Sequence, residues 1–365
     1  MAGSSYGTLF TITTWGESHG EAIGVTIDGC PAGLSLDVSD IQTQLDYRKP
    51  GQSKFTTQRK EGDQVEILSG TFEGKTTGTP ISLIVRNTNQ KSRDYGNISK
   101  VYRPGHADYT FEEKYGIRDY RGGGRSSGRE TIGRVAAGAI ALKLLNELGI
   151  TVQAYTKSIG PVSIPESEYN FKEIHNNTLY MPNSSYAEEA AKYLSTCMQN
   201  QDSAGGTIEC LVHNMPVGVG QTVFEKLDAN LAKGLMSIGA VKGVEIGDGF
   251  EVATSNGSSN NDSYYIGEGA IKKSTNHSGG TLGGMSDGST IITRVAIKPT
   301  PSISSLQHAV TSNKEELDIN IHGRHDPIIV PRAVVVVKSM VALTIIDGVL
   351  INMTSRLDKI KNFYE

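Results

Sequence analysis

The chain has 365 residues, which is enough for one large domain or two ordinary ones. Its 35 Lys and Arg residues against 39 Asp and Glu residues give a net charge of −4, which argues against a general nucleic-acid or membrane-surface binder. No run of about 18 apolar residues occurs, so we expect no membrane span, and residues 1–15 lack a basic stretch followed by an apolar one, so we expect no signal peptide. The three cysteines are widely spaced and form no CxxC pair, which indicates a reducing cytoplasm and no structural zinc.

Strand-like runs, rich in β-branched residues and mostly bounded by Gly, Pro or Asn, recur along the chain. In chain order they are Thr8–Thr14, Gln64–Leu68, Ile81–Val85, Thr207–His213, Ser289–Lys298 and Ala333–Val337. S/T-x-x-E/Q capping boxes at Ser39, Ser127, Ser185 and Thr222 predict four helix starts. Apolar periodicity predicts helices over 130–148 and 223–236, and the segment 340–351 is apolar nearly all round, which predicts that it is buried.

Strands and helices do not alternate in a regular rhythm, which favours a mixed α+β architecture over a doubly wound parallel sheet. We therefore predict antiparallel sheets packed on helices. No linker divides the chain, so we predict a single domain over 1–365 with a polar Ser/Asn surface loop at about 255–263.

Arginine and glycine are concentrated just before the helix predicted at 130. The segment Arg121-Gly-Gly-Gly-Arg125-Ser-Ser-Gly-Arg129 lies there, and glycine is abundant overall, with 42 residues. Close-lying backbone N–H groups, hydroxyls, a helix N-terminus and forked guanidinium groups all favour phosphate or carboxylate. We therefore predict a folded anion site, with an RGG-type RNA-binding segment or a solvated basic loop as alternatives. The segment matches neither a Walker A loop nor a dinucleotide fingerprint.

Three histidines, His19, His106 and His325, lie in Gly/Pro-punctuated loops beside charged residues, where catalytic side chains concentrate. A Ser-His-Asp hydrolase using Ser18 or Ser126 is an alternative, although residues 16–20 do not form a G-x-S-x-G elbow. No H-x-x-x-H spacing occurs, so we expect no metal. The loops at 279–284 and 298–302 indicate either a nucleotide cofactor or ordinary turns.

Together, five segments resemble the sequence blocks of the chorismate synthase family: 16–20, 102–108, 121–131, 240–247 and 323–327. The resemblance runs from Thr8 to the final helix, in the family's order. It implies a β-α-β sandwich, with a helical core between antiparallel sheets, and a cytoplasmic homotetramer. It also implies a shikimate-pathway lyase of aromatic amino-acid biosynthesis. Such a lyase converts 5-enolpyruvylshikimate 3-phosphate to chorismate and phosphate by 1,4-anti elimination, using reduced FMN without net redox change.

The resemblance also implies roles for individual residues. His19 would protonate the leaving phosphate, His106 would protonate the flavin near N1, and Asp326 would work with flavin N5 in removing the ring proton. The implied FMN contacts are Arg125, Ser126, Ser127, Gly239, Ala240, Gly283, Lys298, Pro299, Thr300, Pro301, Ser302 and Arg324. The implied substrate contacts are Arg48, Ser127, Arg129, Arg134 and Arg332, and the implied NADPH contacts are Arg48 and Lys54.

The chain departs from the family's pattern at four positions. Lys54 stands where Arg is common, Gly239 replaces Asn, Lys338 replaces an acidic residue, and Ile328 replaces Cys. None of these changes removes an implied catalytic group. No flavin reductase domain is evident, so an external reductant is expected to supply the reduced FMN. A flavin-using oxidoreductase built on the same loops is the runner-up interpretation.

Overall fold

The computed structural model describes residues 3–56, 62–88, 99–321 and 326–365. The strands in these ranges are β1 (Ser5–Tyr6), β2 (Thr11–Gly16), β3 (Ala22–Asp28), β4 (Val65–Ile67), β5 (Thr71–Phe72), β6 (Lys75–Thr76), β7 (Ile81–Arg86), β8 (Val101–Tyr102), β9 (Thr151–Ile159), β10 (Val162–Ser163), β11 (Gly206–His213), β12 (Val241–Ile246), β13 (Tyr264–Gly267), β14 (Ala270–Lys273), β15 (Thr281–Leu282), β16 (Met285–Ser286), β17 (Ile291–Ile297), β18 (Gln307–Thr311) and β19 (Glu316–Ile319). The α-helices are α1 (Val38–Arg48), α2 (Asp108–Tyr115), α3 (Thr131–Glu147), α4 (Ser184–Gln199), α5 (Leu227–Met236), α6 (Gly257–Asn260), α7 (Val330–Asn352) and α8 (Leu357–Tyr364).

Two five-stranded antiparallel sheets form the outer layers of the fold. Their strand orders are β1-β2-β3-β7-β4 and β10-β9-β11-β17-β12. In the second sheet, Cys210 on the central strand β11 lies opposite Ala154 on β9 and Thr293 on β17. A three-stranded sheet, β19-β18-β8, and three two-stranded hairpins complete the topology of the described residues.

Helices α3 and α7 pack on each other between the two sheets. The α3 helix contacts β3 and β2 of the first sheet, whereas α7 contacts β9 and β11 of the second. Both helices are apolar around most of their circumference, which suits a layer that is covered on every side. The predicted α+β architecture, a helical core between antiparallel sheets, is confirmed.

The strand predicted at Ala333–Val337 is wrong, because this segment lies inside helix α7. Its valines favour a strand locally, but they belong to a longer apolar stretch that forms a 23-residue helix. A helix satisfies its own backbone hydrogen bonds, so it can lie between two sheets without a pairing partner. Tertiary position here overrides local β-propensity.

Helices begin within one residue of Ser39 and Ser185, but at three of the four predicted capping boxes the predicted Ser or Thr is not the capping residue. The side chain of Asp37 caps α1 and that of Asn183 caps α4, so Ser39 and Ser185 lie inside the helices. Helix α5 begins at Leu227, because Val223 has a left-handed φ of 60°. The box at Ser127 holds in part: the Ser127 hydroxyl accepts from the N–H of Arg129 in a short 3₁₀ turn that leads into α3.

Contrary to the expectation from composition, α7 is long and apolar enough to cross a membrane, with a mean hydropathy of 2.3 over its most apolar window. Within the described residues it is the one helix that meets this test. However, 67% of that window is buried inside the protein, as in a core helix. The segment predicted to be buried at 340–351 belongs to this helix.

The polar segment 255–263 is mostly exposed, and the single turn α6 lies within it. Cys30, Cys197 and Cys210 are buried as free thiols. Burial raises the pKa of the Cys30 thiol to about 11 and that of Cys210 to about 12, so both remain protonated and unreactive at neutral pH.

Gly138 sets the distance between α3 and α7, because a Cβ at this position would collide with the Ser339 side chain. We expect Gly138→Ala to lower the free energy of unfolding by about 1–3 kcal/mol, although alanine favours helices. Gly348→Ala in α7 is the matched control: its Cβ would meet Val219 at an ordinary 3.4 Å, so we expect unchanged or increased stability. Urea denaturation measures both variants, and equal stabilities would contradict the close-packing account.

Candidate active site

A cleft of about 1200 Å³ opens where α3 and α7 begin and where α1 ends. Segments that are far apart in the sequence line it, including the loop after β2, the loop before α2 and the glycine turn before α3. The positive ends of the α3 and α7 dipoles border the cleft and favour anions, whereas the negative end of α1 carries the Arg48 guanidinium.

The glycine turn at 122–124 places two histidines against one piece of backbone. Gly122 and Gly123 have left-handed φ values of 81° and 86°. A Cβ on Gly122 would run into the His19 ring, and a Cβ on Gly123 would lie 3.2 Å from Cε1 of His106. Glycine is required here both by the backbone conformation and by the two imidazoles.

A buried carboxylate fixes the orientation of His106. Asp108 accepts from Arg103 Nε at 2.7 Å, and its Oδ1 lies 2.9 Å from Nδ1 of His106 and 3.2 Å from Arg118 Nη1. Burial would raise the pKa of Asp108, but hydrogen bonds from Arg103 and His106 hold that pKa well below its ordinary range. Asp108 is therefore a fixed anion that holds the imidazole beside two guanidinium groups.

Arg125 attaches the turn to strand β2. Its Nη1 donates to the Gly16 carbonyl at 3.2 Å, and its Nη2 donates to Thr14 Oγ1 at 2.7 Å and to the Thr14 carbonyl at 3.1 Å. The adjacent Ser126 hydroxyl donates to the Gly123 carbonyl at 2.8 Å. These bonds make the turn a fixed part of the cleft wall rather than a loose basic loop.

Asp63 joins two arginines from different elements. Its carboxylate lies 3.3 Å from Nη1 of Arg48 at the end of α1 and 3.0 Å from Nη1 of Arg129 before α3. Asn87 accepts from Arg129 Nε at 2.6 Å. One buried carboxylate thus holds two guanidinium groups side by side and lowers their mutual repulsion.

Asp326 lines the cleft just before α7. Its Oδ2 accepts from Arg332 Nη1 at 2.6 Å, and Arg332 Nε donates to the Arg48 carbonyl at 3.0 Å. On α3, Arg134 pairs with Glu130 at 3.0 Å and donates to Ser237 Oγ at 2.6 Å. Each of these two guanidinium groups is oriented by a carboxylate that lies just before its own helix.

The 298–302 loop closes the cleft beside His106. Lys298 Nζ donates to the Gly105 carbonyl at 2.6 Å, and a Cβ on Gly105 would lie 3.1 Å from the Pro301 Cβ. The Thr300 carbonyl accepts from the Ser203 hydroxyl at 2.7 Å. The loop is therefore held on both sides and lines the same cleft as the glycine turn.

The chain is similar to known proteins over nearly its whole length. A family model described as chorismate synthase matches residues 10–350. The chain is 63% identical over 365 residues to a chorismate synthase of Agathobacter rectalis and 62% identical to that of Lachnospira eligens, each covering 100% of both chains. A solved structure described as the crystal structure of chorismate synthase aligns with a TM-score of 0.77 and 30% identity, covering 98% of this chain and 97% of that one.

The chain belongs to the chorismate synthase family. It is accordingly an enzyme, a carbon–oxygen lyase acting on phosphates that forms chorismate. The predicted resemblance and enzyme class are confirmed.

Most residues expected to act in a chorismate synthase line the one cleft. They are His19, Arg48, His106, Arg125, Ser126, Ser127, Arg129, Arg134, Gly239, Ala240, Lys298, Thr300, Pro301, Ser302, Asp326 and Arg332. Three expected contacts lie outside its lining. Pro299 packs against Gly205, Gly283 lies in the β15–β16 turn, and Lys54 Nζ lies 4.9 Å from the Phe55 ring centroid. Arg324 and His325 are outside the described residues.

The sequence alone carries no signal for the partners that orient these side chains. Arg103 and Asp108 stood in a recognised segment, but their spacing carries no signal that they hold His106. Asp63 and Asn87 had no signal at all, because they reach Arg129 only through the fold. Among the described residues, no group of three or more His, Cys, Asp or Glu side chains is placed to hold a metal.

The contribution of Asp108 to the hydrogen-bond network around His106 can be tested by measuring the free energy of unfolding of a variant that lacks this carboxylate. Because its folded pKa is lowered, Asp108 stabilises the fold above its ordinary pKa of about 4, and this contribution is lost as the pH falls further. We expect Asp108→Asn to reduce the free energy of unfolding at pH 6, and the difference from wild type to shrink towards pH 3. Urea denaturation across this range measures the difference. A difference independent of pH would contradict the assignment.

Proposed function

We propose that this chain converts 5-enolpyruvylshikimate 3-phosphate to chorismate and phosphate by a 1,4-anti elimination, with reduced FMN bound in the same cleft and no net redox change. The observation that carries the proposal is the convergence of His19, His106 and Asp326 with the clustered arginines around one cavity. The substrate bears a phosphate and two carboxylates, and FMN bears another phosphate. A protein of net charge −4 needs positive charge concentrated in this way to hold both anions together.

The chemistry of the donors fits a flavin phosphate. The Ser127 hydroxyl and nearby backbone N–H groups lie just before α3, and Lys298 lines the same cleft. Gly239 and Ala240 also line it, and because neither has a large side chain their backbone is accessible. We propose that these residues, together with Arg125, Ser126 and the 300–302 loop, hold FMN. When bound, reduced FMN would supply electron density to the allylic system as the phosphate leaves and recover it afterwards.

The proposed substrate-binding groups are Arg48, Arg129, Arg134 and Arg332, with Ser127. Each of the four guanidinium groups is already paired with a buried or half-buried carboxylate, so its orientation is set before any ligand binds. Such preorganisation places positive charge at the leaving phosphate without a rearrangement during the reaction. The fixed guanidinium groups would also hold the six-membered ring of the substrate in one orientation relative to the histidines.

The proton inventory of the elimination requires a donor and an acceptor. The C–O bond to the phosphate and a ring C–H bond break at the two ends of an allylic unit, and the ring double bond between them is replaced by two conjugated double bonds. We propose that His19, whose Nδ1 lies 3.1 Å from Ser18 Oγ, gives a proton to the departing phosphate oxygen. The Asp326 carboxylate, positioned by Arg332, would serve the removal of the ring proton, and His106, oriented by Asp108, would protonate the flavin near N1.

NADPH is left out of the proposal. Arg48 is buried and bonded to Asp63, and Lys54 lies outside the cleft lining, so the two expected contacts do not form one site. We propose further that the chain works in the cytoplasm as a homotetramer supplied with reduced flavin by an external reductant. Exposed apolar side chains such as Phe224, Phe250 and Ile266 support burial against other subunits.

An anaerobic assay with reduced FMN and 5-enolpyruvylshikimate 3-phosphate tests the proposed reaction. We expect phosphate and chorismate to appear in equal amounts over many turnovers while the flavin remains reduced. Flavin oxidation in proportion to product would instead favour the oxidoreductase interpretation. Tight, salt-sensitive RNA binding by a protein that ignores FMN would favour the RNA-binding alternative.

Substitution of the titrating groups tests their roles. We expect His106→Ala and Asp326→Ala each to lower turnover at least roughly a hundredfold, as for general acid–base groups. His308→Ala is the control, because His308 is exposed on β18 and pairs with Asp318 away from the cleft. Steady-state kinetics with reduced FMN measures all three variants. Wild-type turnover in either cleft variant would remove that residue from the reaction.

A further inference from the structure

A second cavity, of about 460 Å³, lies behind the cleft on the other face of two helices. On α7, Arg332 and Val336 line the cleft, whereas Val334 and Lys338 line the second cavity. On α1, Arg48 faces the cleft, and Thr43, Gln44 and Tyr47 face the second cavity. The volume is in the range of small-molecule sites, and the proposed lyase reaction makes no use of it.

The Lys338 ammonium is an unpaired cation in this cavity. No hydrogen bond or ion pair joins it to any residue in the described ranges, and no Asp or Glu of those ranges lines the cavity. Lys273, by contrast, lies 2.9 Å from Asp262 and 2.7 Å from Asp287. Burial lowers the pKa of Lys338, so the ammonium is held at a cost that a bound anion would offset.

Aromatic rings form one wall of the cavity. The Tyr47 ring lies 5.2 Å from His175 and 6.1 Å from Tyr180 between centroids. Tyr180 has a left-handed φ of 53°, and its hydroxyl donates to Gln52 Oε1 at 2.7 Å. Burial lowers the pKa of His175, which is therefore neutral at pH 7. The wall suits a flat, apolar ring.

The side-chain carbonyl oxygen of Gln44 is a hydrogen-bond acceptor that receives no hydrogen bond from the described residues. Its Oε1 atom is buried and makes no hydrogen bond within the part of the chain that the structure describes. A buried carbonyl oxygen left in this way costs about 1–3 kcal/mol, which a ligand hydroxyl or amino group would recover. The lining of the cavity thus combines a single cation with an aromatic wall, and the unsatisfied Gln44 Oε1 lies just beneath its surface, where a rotation of the amide would present it to a ligand.

We propose that this cavity binds a planar aromatic carboxylate that carries a hydroxyl or amino group. The carboxylate pairs with the Lys338 ammonium, the ring packs on Tyr47, His175 and Tyr180, and the hydroxyl or amino group donates to Gln44 Oε1. One ammonium without a guanidinium group suits a monoanion better than a phosphate dianion. This site does not depend on the lyase reaction proposed for the cleft.

Isothermal titration calorimetry of the full chain with 4-hydroxybenzoate tests the proposal. We expect a dissociation constant below about 1 mM for wild type, with Lys338→Met weakening it at least about tenfold. Benzoate lacks the hydroxyl donor, so it should bind to wild type more weakly than 4-hydroxybenzoate does. To Gln44→Leu the two acids should bind with equal affinity. Lys314→Met, which removes an exposed lysine far from the cavity, should bind as wild type.

Val335→Phe provides a second variant that keeps the ammonium but fills the cavity, and it should also lose binding. Circular dichroism checks that each variant is folded. Absence of binding to wild type at about 5 mM would overturn the proposal. Binding that is unchanged in Lys338→Met would also overturn it, since the acid would then occupy another site such as the arginine-lined cleft.

Discussion

The pairing of arginines with buried carboxylates is the interaction on which the rest of this site depends. Arginines crowded around one cleft repel each other, and the chain offsets that repulsion with anions placed behind them. Asp63 holds Arg48 and Arg129, Asp108 holds Arg103, and Asp326 holds Arg332. The guanidinium groups are thereby fixed in position while the cleft keeps an excess of positive charge.

The sandwich provides the rigid frame for this arrangement. Helices α3 and α7 lie between two antiparallel sheets, and both begin at the cleft. Their close contact at Gly138 and Ser339 therefore also sets the distance between Arg134 and Arg332. Loops from the sheets then carry His19, His106 and Lys298 to the same place. The placement of these side chains around one cleft follows from this frame rather than from any single loop.

The sequence supported the layer architecture and most of the lining, but not the positioning network. Five of the six predicted strands exist because their β-branched runs agree with their place in a sheet. The valines of Ala333–Val337 form a helix instead, because a central layer has no strand partner to offer. Asp63 reaches Arg129 across 66 residues of chain, and no local pattern encodes such a contact. Motifs thus identified the residues of the cleft, whereas the fold determines which carboxylate orients each of them.

The most direct measurement of the central claim is a crystal structure with oxidised FMN and 5-enolpyruvylshikimate 3-phosphate bound together. The account predicts both molecules in the one cleft, with the flavin phosphate at the turn of Ser126 and Ser127. It further predicts the substrate phosphate among the guanidinium groups that Asp63 and Asp326 orient. Binding of the two ligands in separate cavities, or with their phosphates remote from these arginines, would contradict it.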